Sequence, residues 1–139
     1  MKKHATTFLV LMMAALTGLV NAQGVHPRIT ANVPFEFIAN GKTMPAGKCT
    51  ITAQGDGTKV LWIRSGNENL LAIPHDTESL KASEKTVLVF HRYGNRYFLA
   101  SISREGQTRG YEFPLQKMEA ELLAQNVAEK DLILLAGLY

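Results

Sequence analysis

The stretch TVLVFHRYGNRYFLASIS, residues 86–103, constrains the fold of this chain more than any other segment. It is rich in β-branched and aromatic residues, and Gly94-Asn95 interrupts it at its middle. Glycine at the first central position of a two-residue loop supplies positive φ, giving a type II′ turn whose twist matches that of the flanking strands. Such a turn sets the register: Tyr93 faces Arg96, Arg92 faces Tyr97, His91 faces Phe98 and Phe90 faces Leu99. One side of the predicted hairpin then carries Val87, Val89, His91 and Tyr93 with Phe98 and Ala100. The other carries Leu88, Phe90 and Arg92 with Tyr97 and Leu99. Both sides are apolar away from the turn, so the hairpin is expected at the centre of a sheet and covered on both faces.

Weaker strand patterns precede it. In ITANVPFEFI, Ile29, Ala31, Val33, Phe35 and Phe37 alternate with polar residues and Pro34, the period of a half-buried strand. Pro34 cannot donate to a ladder, which places that strand at an edge or bulges it. Asn40-Gly41-Lys42 supplies a turn. Pro45-Ala46-Gly47 opens a second strand with Cys49, Ile51 and Ala53 on one face, broken by Gln54-Gly55-Asp56-Gly57. Lys59–Arg64 and Leu70–Ile73 read as a third and a fourth strand, the latter stopped by Pro74.

Beyond Gly106 and Gly110 the pattern changes. Pro114 followed by LQKMEAELLAQN predicts an amphipathic helix over 114–126, with Leu115, Met118, Leu122 and Gln125 on one stripe. DLILLAGLY reads as a last strand on length. The fold class is therefore all-β, a small, mainly antiparallel sandwich or barrel, with one C-terminal amphipathic helix.

The N-terminus reads as a secretory signal. Lys2 and Lys3 precede an uncharged stretch from Ala5 to Val20, and Val20-Asn21-Ala22 suits signal peptidase. The apolar block is shorter than the roughly 20 residues a membrane span needs. Residues 1–22 are thus expected to be a cleaved leader and 23–139 a single exported domain, periplasmic or extracellular. The formal charge of +3 loses two units when Lys2 and Lys3 leave. The remaining cations are scattered among acids, without the basic stripe of a nucleic-acid binder. A spanning β-barrel is excluded on length, since eight strands of about 9–11 residues would leave no room for the helix.

No convergent catalytic motif emerges. His26, His75 and His91 lack zinc-ligand spacing, and His75-Asp76 with Glu78 reads as a solvated loop. Cys49 is the only cysteine, and an inward strand position suppresses its thiolate. Ser65-Gly66 has no nucleophile elbow, and Ser101 and Ser103 have no base beside them. Glu36, between Phe35 and Phe37, reads as an outward strand residue. Gly55-Asp56-Gly57 is turn chemistry without phosphate-binding spacing. No metal or cofactor is implied. The candidate interaction surface is Arg92, Tyr93, Arg96 and Tyr97, because alternating arginine and tyrosine can stack on rings or grip anions. Its plainer explanation is a hairpin tip held by an Arg92–Tyr97 contact.

Val33-Pro34-Phe35-Glu36-Phe37, Pro45-Ala46-Gly47 with Ile51, and Phe90-His91-Arg92-Tyr93-Gly94 with Tyr97-Phe98-Leu99 together resemble a group of small exported bacterial β-rich proteins with no assigned activity. In that group an aromatic residue usually follows Pro-Ala-Gly-x. Here Cys49 stands in that place, which implies a packing role for the position. The resemblance, from about Thr30 to Glu121, implies a fold and a location but no reaction. The leading expectation is a non-enzymatic binding or envelope-associated structural module with a protein or envelope partner. The alternatives are a carrier of small apolar ligands in a barrel cavity and an uncharacterised hydrolase.

Overall fold

The computed structural model describes residues 27–54 and 59–138. The expected leader, His26 and the Gly55-Asp56-Gly57 turn lie outside them. In chain order the elements are β1 (Arg28–Val33), β2 (Phe37–Ala39), β3 (Lys42–Met44), β4 (Gly47–Ala53), β5 (Leu61–Ser65), β6 (Glu68–Ala72) and β7 (His75–Glu78). They continue with β8 (Val87–Tyr93), β9 (Arg96–Ser103), β10 (Arg109–Glu112), α1 (Lys117–Ala124), β11 (Glu129–Leu135) and β12 (Gly137–Leu138). The chain is mostly β with a single helix near its C-terminal end, as its alternation predicts.

Two sheets form, and they do not close into a barrel. One has the order β12-β1-β4-β5-β6. The other has the order β11-β8-β9-β10-β7, and the short β2–β3 hairpin joins it through a parallel Ile38–Phe98 pairing on β9. All other strand pairs are antiparallel. The inner faces share one core. Ile29, Ala31, Val33, Cys49, Ile51, Leu61 and Ile63 come from the first sheet, and Leu88, Phe90, Leu99 and Ile102 from the second.

The β8–β9 hairpin is central, with β11 on one side and β2 and β10 on the other. Its register near the turn is the predicted one, from Tyr93↔Arg96 to Phe90↔Leu99. Gly94 has φ 62°, as the turn requires. The register then shifts by one, so that Val89 faces Ser101 and Ala100 is the extra residue of a β-bulge. The bulge corrects the expected faces. Ile102, not its neighbours, continues the core side with Leu88, Phe90 and Leu99. The second face is covered most fully toward the turn, where Tyr93 and Phe98 are buried, while Val87 and Val89 are only half-buried.

The strand before Pro34 is neither at an edge nor bulged: β1 lies between β12 and β4 and ends at Val33. There the chain leaves the first sheet and enters the second, so the single expected strand is two, β1 and β2. Asn40 and Gly41, with φ 47° and 76°, make the turn between β2 and β3, both central residues left-handed as in type I′. The third and fourth expected strands are β5 and β6 with shifted ends. His75–Glu78, expected as a loop, is strand β7, paired along its length with β10. At Gly110 on β10 a Cβ would lie 2.7 Å from the Ile102 carbonyl oxygen, a backbone approach that only glycine allows.

Cys49 packs in the core at 1% exposure. Burial pushes its thiol from an ordinary 9.0 up to about 12, because the thiolate would be stranded in apolar surroundings. Burial and the Glu119 carboxylate also raise the Tyr93 phenol. Both groups are protonated in the folded and unfolded states below about pH 9, so their contribution is fully present there. Above that, the unfolded chain ionises first and stability falls, by up to about 1.4 kcal/mol per pH unit for each group. Thiol reagents are expected to leave the folded protein unmodified at about pH 8, and the urea midpoint to fall steadily above about pH 9. Rapid labelling without denaturant, or a flat alkaline limb, would contradict this.

Candidate functional site

The four residues of the expected interaction surface divide between the two faces of the hairpin. Arg92 and Arg96 are exposed. Arg92 donates from Nε to the Gly94 carbonyl at 2.8 Å, and its guanidinium lies 5.5 Å from the Tyr97 ring centre. This is the cross-strand contact that the register demands. Tyr97 is half-buried and stacks on Phe35, with ring centres 3.9 Å apart. Arg96 and Tyr97 line a shallow groove of about 330 Å³ that also contains Glu36. Tyr93, paired with Arg96 on the face opposite Arg92 and Tyr97, is 2% exposed and donates its hydroxyl to Glu119 Oε1 at 2.9 Å.

That contact corrects the helix. The expected stripe does not face the sheet: Leu115 and Met118 are 56% and 40% exposed, and Leu122 is half-buried. The buried residue of α1 is Glu119. Its carboxylate accepts from Tyr93 and lies 2.6 Å from His91 Nδ1. The helix begins after Gln116, two residues beyond Pro114, and the Gln116 side chain accepts from the Gly41 amide, tying α1 to the β2–β3 turn.

A second surface was not foreseen. On the first sheet the inward residues alternate with outward ones, and apart from Trp62 and Leu71 those outward residues on β1, β4, β5 and β6 are polar or cationic. β1 shows Arg28, Thr30 and Asn32; β4 shows Lys48, Thr50 and Thr52; β5 shows Trp62 and Arg64; β6 shows Asn69 and Leu71. The pairings Thr50↔Arg64, Thr52↔Trp62 and Trp62↔Leu71 knit them into one face. Among the described residues, none of these outward positions is a carboxylate. Glu68, at the strand end, pairs with Lys42 at 2.7 Å.

Arg28, Lys48, Thr50, Thr52, Gln54, Trp62 and Arg64 enclose a groove of about 390 Å³. Trp62 is 38% exposed, and the Arg64 guanidinium lies 5.4 Å from its ring centre. The arrangement offers three cations, one aromatic plate and a row of hydroxyl and amide groups. Sequence reading missed it because Arg28, Lys48 and Arg64 are far apart in the chain and only strand pairing collects them.

The remaining sequence candidates are dispersed. Asp76 pairs with Lys59 at 3.0 Å. His75 and Glu36 are exposed. Ser65 is buried and donates to the Pro45 carbonyl at 2.6 Å. Set against known protein families, characterised proteins and solved structures, the chain matches none of them.

Proposed function

We propose that this protein is an exported, non-enzymatic binding module that holds acidic glycan on the outer face of its five-stranded sheet. The observation that carries the reading is the pooling of Arg28, Lys48 and Arg64 around Trp62 on a face whose described outward positions include no carboxylate. Cations attract carboxylate or sulfate groups, and concentrating one sign of charge in a groove raises local ligand density. The Trp62 ring provides a plate for the apolar face of a sugar. Thr50, Thr52 and Gln54 can bond its hydroxyls. The leader-like residues 1–22 support export, where such polymers are met.

The carrier alternative requires strands closed around an apolar cavity, and here the sheets are open and the groove is polar. For the hydrolase alternative, Cys49 is buried in the core and Asp76 is engaged by Lys59. Both observations favour binding over catalysis.

Trp62 is the only tryptophan, so its fluorescence reports directly on the groove. Titration with polygalacturonate is expected to change its emission, with an apparent affinity that weakens as salt rises. Neutral dextran is expected to have no effect. Calorimetry should show Trp62→Ala and Arg64→Ala each lowering affinity about tenfold, the worth of roughly 1.4 kcal/mol. Unchanged affinity in both variants would refute the assignment, as would equal or tighter binding of duplex DNA.

A further inference from the structure

We propose that His91, Glu129 and Asp131 form a site for a divalent transition-metal ion, with Zn²⁺ the best match to the donors. The site lies on the second sheet, separate from the cationic groove, and does not depend on glycan binding. Strand register brings the three residues together. His91 on β8 sits directly opposite Asp131 on β11, and Glu129 lies two residues before Asp131, so both carboxylates rise on the face of the imidazole.

Glu119 orients the ring from behind. Its buried carboxylate is 2.6 Å from His91 Nδ1, and a carboxylate there accepts a hydrogen bond from Nδ1–H, which leaves the Nε2 lone pair outward in the neutral ring. A carboxylate behind a histidine is the usual support for a metal ligand, since it fixes the tautomer and makes the outer nitrogen more basic. Glu119 is itself held by the Tyr93 hydroxyl, so the ring's orientation is anchored in the core.

The distances around Nε2 give the second, separate indication. Glu129 Oε1 lies at 3.5 Å and Asp131 Oδ1 at 3.8 Å. A charge-assisted hydrogen bond closes to about 2.7–2.9 Å, and both contacts are longer than that. Two ligand atoms each about 2.0–2.1 Å from a tetrahedral zinc ion are separated by about 3.3 Å. The three donor atoms all lie within 4.8 Å of one another, so a small inward movement of two partly exposed side chains completes the set. One nitrogen and two oxygens leave a fourth position for water. If His91 is protonated when the ion arrives, the Nε2 proton passes to the buffer.

Calorimetric titration of the full, untagged protein with zinc chloride is the test. One ion per chain is expected to bind. His91→Gln should abolish binding, and Asp131→Asn and Glu129→Gln should each weaken it at least about tenfold. Glu119→Gln should weaken it about 10- to 100-fold through loss of ring support. The two β11 variants alter exposed side chains and should leave the circular dichroism spectrum unchanged, so the test does not depend on the buried glutamate tolerating replacement. His75→Gln should bind as the parent does. No binding by the parent protein overturns the proposal, as does undiminished binding by His91→Gln or loss of binding in His75→Gln.

Discussion

Phe90→Ala is expected to lower the free energy of unfolding by about 3–5 kcal/mol, the range for truncating a fully buried aromatic. Phe90 has no exposed surface and lies on β8, between β11 and β9 in the second sheet. Phe35 and Phe37 meet its ring edge-on, with centres 5.2 and 5.4 Å away. Those two residues follow the point at which the chain passes from one sheet to the other, so the ring packs the crossover as well as the core. No neighbour can collapse into the space without breaking the paired strands on either side, which keeps the cavity cost high. A domain of this size has about 5–15 kcal/mol in total, so the variant should unfold at much lower urea and be near its folding limit at 37 °C. A loss below about 1 kcal/mol would mean that the two sheets do not share the core described.

The parts of the fold that could be read from sequence are those that local geometry dictates. Gly94-Asn95 and Asn40-Gly41 occupy turns that need left-handed backbone, and the strands around them follow from period-two alternation. Cys49 is buried because its neighbours alternate as they should. The bulge at Ala100 was not legible: it leaves the composition of β9 unchanged and exchanges the face of every later residue. Strands β7 and β10 were missed because HDTE and RGYE have no apolar face, and their order comes from pairing with each other and with β9. The cationic groove escaped for a related reason, since each of its charges looks like an ordinary outward residue until three strands are laid side by side. The helix failed differently. Apolarity is a good guide to the inward face only when polar groups have no partners inside, and Glu119 has two, on a strand more than twenty-five residues earlier.

Glu119→Ala should for that reason destabilise the fold far more than a helix surface change, by about 3 kcal/mol, because removing one member of a buried polar set orphans the rest. The Tyr93 hydroxyl, in a residue 2% exposed, would lose its acceptor, and His91 would lose the partner of Nδ1. The effect should be strongly non-additive. With Glu119 already alanine, Tyr93→Phe removes only an unsatisfied hydroxyl and should cost little or restore stability. In the parent protein the same change leaves Glu119 with His91 alone and should cost about 1–2 kcal/mol. A double-mutant cycle by urea unfolding therefore reads a coupling energy of about 1 kcal/mol or more between two residues on different elements. Additive losses would show that the carboxylate and the phenol do not share a hydrogen bond, and that α1 is held by the Gln116–Gly41 contact instead.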